Sequence, residues 1–118
     1  MSVGRVVVVI DDDIGVLNSF KFLLEAAGYP VAAYGSASAF LDDRGIEPGC
    51  LIVDQHMPVM TGLDLVAHLR QEAIFVPALL MTGLPSPKIL ARANELGIEV
   101  LEKPPNEHDV LRFINVHF

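Results

Sequence analysis

Cysteine occurs once in this chain, at Cys50, and tryptophan not at all. A single thiol excludes an internal disulfide and makes the reducing cytoplasm the expected compartment. Basic residues are scarce too: 8 Lys and Arg stand against 15 Asp and Glu, for a formal net charge of −7. Gripping a phosphate backbone needs a basic face, so direct binding of nucleic acid by this domain is not expected. No apolar run approaches the roughly 18 to 20 residues that span a bilayer, and no membrane role is expected. The opening Met1-Ser2-Val3-Gly4-Arg5 lacks the layout of a secretory signal. Repeats, low-complexity tracts and linker-like stretches are missing as well, so residues 1–118 read as one domain.

What the chain does have is core. Hydrophobic residues make up 52% of it, far above the content of a disordered tail. They gather in five short runs: Arg5 to Ile10, Val31 to Tyr34, Cys50 to Val53, Ala78 to Met81 and Ile98 to Leu101. Val6-Val7-Val8-Val9-Ile10 is continuously apolar and β-branched, the pattern of a parallel strand covered on both faces. Helix signals lie between the runs. Asp13 can cap a helix reaching about Ala27, with Gly28 as its left-handed stop. Ser36 can cap a short second helix through Leu41, and a third runs from about Leu63 to Gln71. Ser86-Pro87 opens a fourth that ends at Gly97, and Asn106 can cap a fifth. This alternation predicts an α/β fold, an open and mostly parallel sheet with helices on both faces.

The chemistry stands where the strands end. Asp11-Asp12-Asp13 follows the first run, Asp54 the third, Thr82-Gly83 the fourth and Glu102-Lys103-Pro104 the fifth. Ligands of open α/β sheets bind outside the carboxyl ends of the strands, so these groups are expected to share one crevice. Carboxylates about 4 Å apart repel by about 4 kcal/mol at an effective dielectric near 20. Only Lys103 offsets this from within the set. A hard divalent cation would do so, and Mg²⁺ favours one or two carboxylates with water and phosphate oxygens. With a lysine and a hydroxyl added, such a site can hold the equatorial oxygens of a transferring phosphoryl group. Asp54, at the centre, is the nucleophile expected to form an acyl phosphate.

The stretches VVVVIDDD, LIVDQHMPVMTGLDL, LLMTG and LEKPP carry a resemblance over nearly the full length. The sequence resembles the receiver domains of two-component response regulators, and is similar in flavour to those with a C-terminal helix-turn-helix output domain. The resemblance implies a flavodoxin-like, doubly wound sheet of five parallel strands in the order 2-1-3-4-5, and a cis bond at Lys103-Pro104. It implies that Asp11 and Asp12 bind Mg²⁺, Asp12 directly and Asp11 largely through water, with the His56 backbone carbonyl and Asp54 completing the protein ligands. It makes Asp54 the phosphoacceptor, Thr82 the switch hydroxyl and Lys103 the partner of the phosphoryl group. The implied partners are a sensor histidine kinase as phosphodonor, and a DNA-binding output domain or a protein target. Homodimerisation on phosphorylation belongs to the same picture. Such a domain assists its own phosphorylation and dephosphorylation without being a conventional enzyme. Three departures lie on the output side. Val100 stands where an aromatic switch residue is usual, the segment from Gly97 to Lys103 is one residue short, and Pro105 replaces a common phenylalanine.

Each residue also has a plainer reading. An acidic triplet before a helix is most often a capped N-terminus, and Asp13 keeps that role. Asp54, Thr82 and Lys103 taken singly are a turn aspartate, a turn threonine and a surface lysine; their weight is joint. His56, His68, His108 and His117 show no zinc-site spacing, and His56 is expected to face solvent beside Asp54. Cys50 reads as inert core, and Met57 and Met60 as packing residues. At 100° per residue, Val16, Leu17, Phe20, Leu23, Leu24 and Ala27 share the packing face of the first helix. Ile14, Asn18 and Phe22 fall on the opposite face, either as scattered surface hydrophobes or as a docking stripe for the kinase. The competing function is a phosphorylation-independent pseudo-receiver that acts as a binding scaffold. Retention of Asp11, Asp12, Asp54, Thr82 and Lys103 together speaks against it. A small-molecule enzyme has less support, because no dinucleotide fingerprint, P-loop or nucleophile elbow occurs.

Overall fold

Val6–Ile10 forms strand β1, and its side chains alternate between two separate cores. The computed structural model describes residues 4–118. The remaining elements follow in strict alternation: α1 (Ile14–Ala26), β2 (Val31–Tyr34), α2 (Ala37–Asp42), β3 (Pro48–Asp54) and α3 (Gly62–Gln71). Then come β4 (Ala78–Thr82), α4 (Pro87–Glu95), β5 (Glu99–Glu102) and α5 (Glu107–His117). The strands make one sheet in the order β2-β1-β3-β4-β5, and every pairing is parallel.

Successive side chains of a strand point to opposite faces. Val8, Ile10, Leu51, Val53, Ala78 and Leu80 therefore pack on one side, beneath Phe40 of α2, Leu63, Val66 and Leu69 of α3 and Ala93 of α4. Val7, Val9, Cys50, Ile52, Leu79 and Met81 face the other way, against Leu17, Phe20 and Leu24 of α1 and Val110, Phe113 and Ile114 of α5. Burial on both faces is why these strands read as unbroken apolar runs rather than alternating ones.

The caps follow the sequence closely, with Asp13, Ser36, Ser86 and Asn106 each accepting from a backbone N–H of the first turn. Gly28 ends the α1 segment at φ 94°, a value open to glycine at little cost. Several boundaries differ from expectation. β3 begins two residues early, at Pro48, and β5 is displaced by one residue to Glu99–Glu102. Ala27 is exposed rather than packed, because it is the C-cap of α1 and the chain is already turning away. α3 starts at Gly62 behind a capping box in which the Thr61 hydroxyl accepts from the Asp64 N–H and the Asp64 carboxylate accepts from the Thr61 N–H.

Candidate phosphoryl-acceptor site

β1 ends at Ile10, and the next residue turns its side chain into the crevice. The Asp11 N–H still donates to the Tyr34 carbonyl of the edge strand at 3.1 Å, so its backbone is held in register. Its buried carboxylate accepts from the Asp13 N–H at 2.9 Å and from Lys103 Nζ at 3.2 Å. Asp13 turns outward and caps α1, its Oδ1 accepting from the Gly15 and Val16 N–H groups at 2.9 and 3.2 Å. Asp12, between them, stays exposed.

Asp54 is the last residue of β3 and is buried. Its Oδ1 lies 2.8 Å from Lys103 Nζ, as an ion pair without the alignment of a directed hydrogen bond. Lys103 reaches this point because its own N–H is tied to the Thr82 carbonyl at 2.9 Å, just beyond β5. The Lys103-Pro104 bond is cis, as the resemblance implied. Asp11, Asp12 and Asp54 each offer a carboxylate oxygen, and these oxygens all lie within 4.8 Å of one another. Hard oxygen donors at this spacing, one of them buried with no directed partner, fit a hard divalent cation such as Mg²⁺.

The electrostatics bear the marks of this crowding. Burial raises the Asp11 carboxyl above its ordinary value, and the neighbouring Asp54 charge pushes the same way against the Asp13 N–H and Lys103. Burial also works against the Lys103 ammonium, but Asp54 and Asp11 outweigh it and hold the group above its usual value.

Thr82 closes β4, fully buried, and its Oγ1 accepts from the Leu84 N–H at 3.2 Å. His56 departs from the solvent-facing expectation in one respect. The residue is exposed, yet its Nε2 lies 3.0 Å from Thr82 Oγ1 in a partly buried contact. One further residue went unread in the sequence. Gln55 is buried, its Oε1 accepts from the Leu63 N–H at 2.9 Å, and its carbonyl accepts from the Gly62 N–H at 3.2 Å, pinning the loop after Asp54 to α3. An amide placed directly after a buried strand was the available signal. Gly62 itself leaves no room for a side chain: a Cβ there would lie 2.6 Å from the Asp54 carbonyl oxygen. In the same loop Val59 is fully exposed at φ 70°, a conformation that β-branched residues rarely adopt.

The other predicted residues lie apart. Val100 is half-buried on β5 and packs toward the core beneath α4. Ile14, Asn18 and Phe22 are exposed on the outer face of α1, Ile14 at 74% and Phe22 at 78%. Cys50 is buried, and burial pushes its thiol up to about 12.

An open parallel sheet with a carboxylate, lysine and hydroxyl crevice at its strand ends defines the CheY-like class of the flavodoxin-like fold. Residues 7–115 match the response regulator receiver domain, and the chain belongs to that family. It is similar to the transcriptional regulatory protein FixJ of Bradyrhizobium diazoefficiens, 38% identical over 98 residues, which cover 81% of this chain and 48% of that protein. Among solved structures, full-length FixJ from B. japonicum superposes with a TM-score of 0.85 at 33% identity, over 99% of this chain and 58% of that one. The chemotaxis protein CheY4 of Vibrio cholerae gives 0.85 at 27% identity, covering 98% of this chain and all of that one. The chain spans about half the length of the curated relatives it matches. Among the described residues, no helix is long and apolar enough to cross a membrane.

Proposed function

We propose that this receiver domain takes a phosphoryl group from a sensor histidine kinase onto Asp54, in a Mg²⁺-dependent step, and that the acyl phosphate alters its output surface. The carrying observation is the convergence of Asp11, Asp12, Asp54 and Lys103 within ion-pair and metal-ligand distance at the strand ends. One carboxylate oxygen of Asp54 attacks phosphorus, and the bond to the donor's imidazole nitrogen breaks with its electron pair leaving on that nitrogen. The Lys103 ammonium then pairs with a phosphoryl oxygen, and the Thr82 hydroxyl donates to another. Asp11, Asp12, Asp54 and the backbone carbonyl of His56 would hold Mg²⁺, which supplies neutralising charge to the crowded oxygens. FixJ is named a transcriptional regulatory protein and is about twice the matched length, which supports a DNA-binding output domain as the downstream partner. Homodimerisation on phosphorylation is the corresponding expectation for the output surface around Val100.

Incubation with acetyl phosphate and Mg²⁺ tests the reading. Intact-mass measurement is expected to show one added phosphoryl group, absent without metal and absent in Asp54→Ala. Efficient labelling of Asp54→Ala would move the acceptor elsewhere, and failure of the parent to label would revive the scaffold alternative.

A further inference from the structure

The contact between His56 and Thr82 has no part in the transfer chemistry, and it links two residues 26 positions apart. It builds on the phosphoryl reading of Asp54. A threonine hydroxyl has one proton to donate and two lone pairs to accept with. Leu84 N–H already takes one lone pair of Thr82 Oγ1 at 3.2 Å. His56 Nε2, at 3.0 Å, faces what remains. Thr82 is fully buried, and His56, exposed as a residue, reaches its hydroxyl with Nε2.

We propose that His56 is a positioning residue that engages the Thr82 hydroxyl in the unphosphorylated state and competes with the phosphoryl group for its proton. In this arrangement the imidazole carries its proton on Nδ1, and Nε2 accepts from the Thr82 O–H. A phosphoryl oxygen on Asp54 captures that proton only by breaking the bond to His56. The ring thus sets a threshold for the switch, a function separate from that of the His56 backbone carbonyl. No covalent step is involved: one hydrogen bond is exchanged for another.

Two measurements decide it. Long-range ¹⁵N–¹H correlation spectra of the metal-free protein in mildly alkaline buffer are expected to show His56 as the Nδ1–H tautomer. Thr82→Val should lose the shift signature of an Nε2 acceptor. A predominant Nε2–H tautomer, or ring shifts unaltered by Thr82→Val, overturns the proposal. The second measurement titrates the parent with Mg²⁺ and beryllofluoride, a phosphoryl mimic that loads onto a carboxylate. His56→Ala is expected to bind it roughly threefold to tenfold more tightly, the span of one hydrogen bond's net worth. His56→Gln, whose side chain can still meet the hydroxyl, should return toward the parent. Equal or weaker binding by His56→Ala overturns the competition. Failure of the parent itself to load beryllofluoride would bring down the phosphoryl reading instead, a result separable from the tautomer measured without it.

Discussion

At Asp11, burial and charge pull against function. The carboxyl is raised from its ordinary value, first by burial and then by the Asp54 charge. The folded state therefore binds this proton more readily than the unfolded chain does. Sign follows from linkage: the stabilising contribution is complete below the unfolded value, near 3.8, and is lost as pH rises through the folded value. Without metal, Asp11→Asn is expected to melt at a higher temperature than the parent at neutral pH, with the advantage fading as pH falls toward 3.8. Mg²⁺, bound as proposed, is expected to reverse the order, because a bound cation at ten times its Kd adds about 1.4 kcal/mol to the parent and less to a variant missing a carboxylate. Thermal scans across pH, with and without Mg²⁺, check both signs; a variant less stable than the parent throughout would contradict them. Gly62 gives an opposite kind of case, steric rather than electrostatic. Alanine would gain about 0.5 to 1 kcal/mol of helix preference. Its Cβ, however, would lie 2.6 Å from the Asp54 carbonyl oxygen and 2.7 Å from Leu80 Cδ1. The clash outweighs the gain. Gly62→Ala is expected to lose about 1 to 3 kcal/mol in urea unfolding, and to shift the Asp54 backbone.

Among the elements, α1 is the one with two faces to account for. Leu17, Phe20 and Leu24 bury the inner face, while Ile14 and Phe22 stand out into solvent on the outer one. The helix begins immediately after the acidic triplet, so its exposed stripe borders the mouth of the crevice. If a kinase is the donor, as proposed, Phe22→Ala is expected to slow phosphotransfer from it severalfold, while labelling by acetyl phosphate is unchanged. Equal kinase rates for variant and parent would leave Phe22 as ordinary surface. The existence of each helix was legible from its caps and apolar spacing, because Asp13, Ser36, Ser86 and Asn106 act through purely local bonds. The capping box at Thr61 and the early start of β3 at Pro48 went unread. In the first case a glycine at the start of the helix masked the signal. In the second, proline and glycine weigh against a strand, and only the pairing of Pro48 with Val6 makes one.

Across the whole molecule, the site was legible for the same reason that the sheet was. Buried parallel strands are plain apolar runs, and the first polar residue after three of them, Asp11, Asp54 and Thr82, stands at the crevice. The links within the crevice were not legible. Contacts such as His56 to Thr82 or Gln55 to Leu63 depend on where a loop folds back, which residue order alone leaves open. The sheet has one further consequence for how damage adds up. It is a party wall between two rooms: Leu65 lies in one and Leu24 in the other, each fully buried, each with its own set of neighbours. Leu65→Ala and Leu24→Ala should each cost about 2 to 5 kcal/mol. Made together, they should sum to within about 0.5 kcal/mol, whereas Leu65→Ala and Leu80→Ala, in the same room, should depart from their sum by about 0.5 to 3 kcal/mol. Denaturant unfolding of the three single variants and the two pairs measures it. Strong coupling through the wall would mean that the two rooms settle as one. Independence would mean that either room can be refurnished without the other noticing.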